Sequence, residues 1–165
     1  YPLPEAQLDR FLMHVSVSYP GAAAEAEILR LVRKEAASQL TPQPKKISQT
    51  VLQDARQAVL NIHMAPAVEE YIVQLIIATR QAEKYSVELA SFLEFGASPR
   101  GTISLDRCAR AHAWLNGQEF VTPDDVQKVI HDVLRHRIIL SFEAEASGIT
   151  PDDVINQLVS IVPVV

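Results

Sequence analysis

Thr41-Pro42-Gln43-Pro44-Lys45-Lys46 divides the sequence. Two prolines two residues apart forbid helix and disfavour a central strand, so a domain boundary is expected at about residue 41. Beyond it, apolar residues recur at helical spacing. Ser48 is placed to cap a helix to about Ile62, with Val51, Leu52, Ala55 and Val59 on one stripe. Pro66 suits the first position of a helix running to Ala82 that buries Val68, Ile72, Leu75, Ile76 and Thr79. Residues 83–97 are mixed and read as a loop holding one short turn. A helix from about Pro99 or Arg100 to Leu115 follows, closed by Asn116-Gly117. Thr122-Pro123-Asp124-Asp125-Val126 and Thr150-Pro151-Asp152-Asp153-Val154 then open two more helices, each with a Thr cap, a Pro and carboxylates in the first turn. The residues after the two copies do not match, so the reading is of one capping device used twice, not of an internal repeat.

Before the boundary, Leu12 to Tyr19 alternates polar and apolar side chains and reads as a strand with one apolar face, Met13, Val15, Val17 and Tyr19. A lone strand cannot satisfy its own backbone, so its partners are expected outside this sequence or in another copy. Pro20-Gly21 turns the chain into a helix over about 22–38 carrying Ile28, Leu29, Val32 and Ala36. Its early Glu25 and Glu27 and late Arg30, Arg33 and Lys34 match the helix dipole. The fold class is therefore mainly α, a helical bundle preceded by one strand and one helix.

The 165 residues are 48% hydrophobic and 21% charged, which excludes a polar disordered tail. A net charge of −5 argues against a general binder of nucleic-acid backbones. One cysteine, Cys108, excludes an internal disulfide framework and fits a reducing cytoplasm. No apolar run approaches the roughly 18 residues that span a bilayer, so membrane insertion is not expected. The start, Tyr1-Pro2-Leu3-Pro4-Glu5, reads as the interior of a longer protein.

No stretch matches G-x-x-x-x-G-K-[ST], and the five glycines are too scattered to cradle phosphates. The five histidines include no pair at i, i+4, so no metal site is expected. Cys108 lies at the apolar spacing of Leu105, Ala109 and His112, as a buried inert thiol would. Two arginines stand out. Arg10 immediately precedes the Phe11-Leu12 start of the strand segment, where a long cation can project toward a neighbour. Arg100 falls in the first turn of a helix, an unfavourable position for a cation unless it answers an anion such as a phosphate. Two readings without nucleotide chemistry compete: a stand-alone helical protein-interaction module, and a helical DNA-binding domain using Arg107 and Arg110 or Arg135 and Arg137.

Pro2-Leu3-Pro4-Glu5-Ala6-Gln7-Leu8-Asp9-Arg10-Phe11 resembles the segment before the last core strand in the MoxR family of AAA+ ATPases. Gly96-Ala97-Ser98-Pro99-Arg100-Gly101 is similar to that family's sensor 2 motif, and Phe120 to Val126 with His136-Arg137 resembles its lid. The resemblance covers nearly the whole chain. It implies that residues 1 to about 40 are the last strand and helix of an α/β P-loop core and that 41–165 are a helical lid domain. It further implies that Arg10 is an arginine finger acting in trans and that Arg100 is sensor 2, contacting nucleotide phosphate. Walker A and Walker B would precede Tyr1, so the parent would be an ATP-hydrolysing enzyme and the chain alone inactive. The parent would use ATP and Mg as a cytoplasmic homo-oligomeric ring, expected as a hexamer, with chaperone-like remodelling activity and von Willebrand factor A-domain partners. The sequence is longer than the family pattern at Lys84 to Glu94 and lacks a basic residue at Gly117-Gln118-Glu119.

Overall fold

The computed structural model describes residues 3–37 and 44–164, so part of the Thr41–Lys46 linker lies outside the described residues. The fold is mainly α, as expected, with one two-stranded sheet among the described residues. Contacts group the chain into two units. One comprises the residues up to Val15 together with those from Ala55 on, and the other comprises Ser16–Asp54. The first fifteen residues thus group with the helical bundle, and the helix that follows them does not.

The smaller unit contains α2 (Ala22–Ala36), with Glu25 in its first turn, Arg33 and Lys34 in its last, and no buried residue. It also contains the start of α3 (Gln49–Asn61), where the Ser48 hydroxyl accepts the Val51 amide at 3.2 Å. The apolar stripe of α3 is covered only in part. Val51 and Leu52 are exposed, while Ala55 and Val59, in the larger unit, are half-buried. The expected strand over Leu12–Tyr19 has no ladder partner among the described residues and carries no strand pairing. Met13 is half-buried against the core, and the rest of the apolar face is open, with Val17 88% and Tyr19 97% exposed. A ladder needs a second strand to accept its N–H groups, and the sheet in this chain is formed elsewhere.

The larger unit opens with α1 (Glu5–Leu8) and is built around α4 (Pro66–Arg80), α6 (Pro99–Leu115), α7 (Pro123–Leu134) and α9 (Pro151–Ile161). The core is formed by Tyr71, Leu75, Leu105, Ile130, Leu134, Ile155 and Leu158, all fully buried. Residues 83–97, read as a loop, instead hold a 3₁₀ turn, α5 (Val87–Phe92) and β1 (Leu93–Phe95). β1 pairs antiparallel with β2 (Ile139–Leu140), and α8 (Phe142–Ala146) follows. The extra length at Lys84 to Glu94 therefore accommodates α5, which buries Leu89.

Both Thr-Pro-Asp-Asp copies form complete capping boxes. At α7 the Asp125 carboxylate accepts from the Thr122 amide at 2.8 Å, the Thr122 hydroxyl at 2.6 Å and faces His112 Nδ1 at 2.7 Å. Burial disfavours the charged carboxylate, but these hydrogen bonds outweigh it and hold the Asp125 pKa below its ordinary value. The turn before α6 is fixed as closely. A Cβ on Gly96 would lie 2.3 Å from the Thr79 carbonyl oxygen, so only glycine lets the turn reach the end of α4. There the Ala97 amide donates to Thr79 Oγ1 at 2.9 Å, and Arg80 Nε donates to the Ala97 carbonyl at 2.6 Å.

Two stability outcomes follow from these contacts. Asp125→Ala is expected to cost about 2–4 kcal/mol at neutral pH, from a lost cap and orphaned buried donors. A depressed folded-state pKa means that the contribution is present above the unfolded value of about 4 and is lost as pH falls through the folded value. Denaturant melts of wild type and variant should therefore converge in acid, and a gap that persists undiminished contradicts the assignment. Gly96→Ala is expected to lower stability by about 1–3 kcal/mol or more by the same measurement, because the contact is to backbone and cannot rotate away. A wild-type midpoint would show that the turn can shift.

Candidate arginine cleft

Arg10 sits in the turn after α1, where its amide donates to the Gln7 carbonyl at 3.1 Å, and its side chain is exposed. Arg100 is the second residue of α6. Ser98 caps that helix through an Oγ that accepts the Arg100 amide at 3.1 Å and donates to Asp9 Oδ2 at 2.7 Å. The anion that answers Arg100 within the chain is this same carboxylate. Arg100 Nη1 lies 3.5 Å from Asp9 Oδ2, with the arginine side chain 52% exposed, so the pair is long and solvated and is easily exchanged for another anion.

Arg10 and Arg100 line one open cleft of about 360 Å³ together with Arg107, Arg137, Asp9 and Ser104. Four arginines and one carboxylate line it; the donors of Arg137 are taken up internally, and exposed Arg10, Arg100 and Arg107 leave an excess of positive charge that favours an anion. The two residues singled out from the sequence, 90 positions apart, are therefore brought together. Arg107 joins them because it follows Arg100 by seven residues on α6, two helical turns along the same face.

Arg137, named from the sequence only as a candidate DNA contact and as part of the lid resemblance, lies inside the site. Its side chain is 1% exposed, at the end of the turn after α7, and its donors are taken up by the segment that carries Arg10. Nε donates to Asp9 Oδ1 at 3.1 Å, and Nη2 donates to the Asp9 carbonyl at 3.1 Å, the Phe11 carbonyl at 2.5 Å and Ser104 Oγ at 3.1 Å. Nη1 donates to the Leu12 carbonyl at 3.3 Å and to the Val133 carbonyl. Burial lowers the Arg137 pKa from its ordinary value and the Asp9 charge opposes that shift. Next to it, His136 Nε2 lies 3.2 Å from the Phe11 carbonyl, and burial holds its pKa low.

The DNA-binding reading loses most of its residues here. Arg135 makes a two-point contact with Asp152 at 3.0 Å and also binds Asp132 and the His14 carbonyl, while Arg110 binds Asp106 at 2.9 Å and the Ile62 carbonyl. Cys108 is buried and its thiol is pushed up to about 11, chiefly by burial, with Arg137 pulling it down and Asp132 raising it. It stays protonated and unreactive at neutral pH. Among the described residues no group of His, Cys, Asp and Glu could hold a metal ion, and no helix is long and apolar enough to cross a membrane.

The family model for the AAA lid domain matches residues 89–158, which run from α5 through the Gly96 turn and α6 to α9. The chain is 38% identical to the chaperone MoxR1 of Mycobacterium tuberculosis over 98% of its own length and 42% of the relative's. It is 33% identical to the protein MoxR of Paracoccus denitrificans over 92% of its length and 48% of the relative's. A crystal structure of a candidate ATPase from Cytophaga hutchinsonii superposes with a TM-score of 0.90 and 36% identity, covering all of this chain and 50% of that one. The chain thus spans about half the length of the relatives it matches. With the lid domain matched and the likeness extending through the Leu8-Asp9-Arg10-Phe11 segment, the chain belongs to the MoxR-like AAA+ ATPases as a portion that carries the lid.

Proposed function

We propose that this chain supplies two phosphate-directed cations, Arg10 as the arginine finger and Arg100 as sensor 2, to ATP hydrolysis by a MoxR-like ring. The observation that carries the reading is the shared cleft, in which both side chains are exposed beside a carboxylate whose pairing with Arg100 is long and solvated. Phosphoryl transfer is catalysed mainly by positioning and by charge set against the developing charge on the transferred group, and a guanidinium serves both. Arg10, acting on the nucleotide of a neighbouring subunit, would stabilise the transition state. Arg100 would exchange Asp9 for phosphate and so report nucleotide state to the lid.

The residues present fit the phosphate part of Mg-ATP and not the metal, for which this chain offers no ligand cluster among the described residues. The P-loop, the metal ligands and the strands that would cover Val15, Val17 and Tyr19 would come from a core outside this chain. The exposure of Val15, Val17 and Tyr19 supports the reading of that segment as a core strand. The parent would act as a homo-oligomeric cytoplasmic ring with chaperone-like activity, alongside von Willebrand factor A-domain proteins.

In the full-length protein, Arg10→Ala is expected to lower ATP turnover by about a thousandfold or more with the thermal midpoint unchanged. Arg100→Ala is expected to weaken nucleotide binding as well as turnover. The 165-residue chain alone should show no ATP hydrolysis above background. Wild-type turnover in Arg10→Ala would return the chain to a helical interaction module, and hydrolysis by the chain alone would overturn its reading as part of a larger enzyme.

A further inference from the structure

We infer that Arg137 is a positioning residue for the arginine finger, holding the Arg10 segment and the Arg100 helix as one body. The inference rests on the function proposed for Arg10 and goes beyond it, because it concerns a residue that does not itself face the reacting phosphate. The guanidinium of Arg137 accounts for the carbonyls of Asp9, Phe11 and Leu12, those on either side of Arg10 in sequence. Its remaining contacts reach the Val133 carbonyl of α7 and Ser104 of α6. One side chain therefore joins the backbone around Arg10 to two lid helices.

Asp9 completes the clamp from the other side. Its Oδ1 accepts from Arg137 Nε at 3.1 Å, while Oδ2 accepts from Ser98 Oγ at 2.7 Å and lies 3.5 Å from Arg100 Nη1. A single carboxylate thus relates the cap of the Arg100 helix to Arg137 and, through the backbone, to Arg10. The segment continues onto the lid, with the His14 amide donating to the Asp132 carbonyl at 2.7 Å and the His14 carbonyl accepting from Arg135 at 2.6 Å. Within the larger unit, these contacts set the spacing of the two cleft arginines.

Lysine at 137 keeps the charge but has a compact head that cannot span the planar fan of acceptors. Arg137→Lys, made in the full-length protein, should lower kcat by about tenfold or more with KM within about twofold, whereas Asp9→Asn should lower kcat and also shift KM, because Arg100 loses its competing anion. Combined with Arg10→Ala, Arg137→Lys should add nothing to the loss from Arg10→Ala alone, because a residue that acts through Arg10 has nothing left to position. Hydrogen exchange should show faster exchange at the Phe11 and His14 amides, with those of α4 and α9 unchanged. Wild-type kcat in a folded Arg137→Lys, losses that multiply in the double variant, or unchanged exchange at 11–14 would each overturn the inference. If Arg137→Lys does not fold, exchange at the Phe11 and His14 amides in Asp9→Asn, which also loses the Arg137 contact, provides the comparison. If Arg10→Ala itself leaves turnover intact, the proposed function falls and the positioning role falls with it, while the exchange result still decides whether the clamp exists.

Discussion

A buried guanidinium must have its donors matched, since an uncompensated charge out of water costs several kcal/mol. Arg137 meets that requirement with a segment that has the complementary deficit. Residues 9–12 form neither helix nor ladder, and their carbonyls would otherwise find only water. Each side resolves the other: the charge gains three backbone acceptors and a carboxylate, and an irregular stretch gains a fixed path over the lid. The geometry of the cleft depends on this exchange. Asp9 is held by Arg137 through one oxygen, which leaves the other directed at Ser98 and Arg100.

A second constraint works from the opposite side of α6. The absence of a side chain at Gly96 lets the turn press on the last carbonyls of α4, where Thr79 and Arg80 bind Ala97. The following residue, Ser98, then caps α6 with Arg100 in its first turn. The helix dipole and the arginine charge repel there, and Asp9 relieves part of that repulsion. Local strain in electrostatics is thus built into the place where an incoming anion would be welcomed.

The capped helices were legible in sequence because their signals are local: Ser48, Pro66, Ser98-Pro99 and both Thr-Pro-Asp-Asp runs mark the starts that the structure has. Residues 83–97 were not, because β1 exists only through its pairing with Leu140 and Ile139, more than forty positions away. Residues 12–19 have the alternation of a strand without a neighbour to make them one, so the pattern records a requirement that is not met among the described residues. Arg10 and Arg100 drew attention by their settings and by resemblance, but nothing local joins them in one cleft. Arg137 was read as a possible DNA contact, since sequence gives no sign that a charge lies inside. The order of hydrophobic residues reveals helix faces, whereas a buried ion is defined by partners that the chain brings from its other end.

That distance matters for the way the protein is made. Asp9 and Arg137 are 128 residues apart, so the segment bearing Arg10 leaves the ribosome long before its anchor is synthesised. At ordinary elongation rates of about 5–20 residues per second, the interval is roughly 6–26 s, far longer than helix formation. Through that time the carbonyls of Asp9, Phe11 and Leu12 lack the guanidinium that binds them. A nascent chain that has not reached residue 137 therefore cannot present a completed cleft.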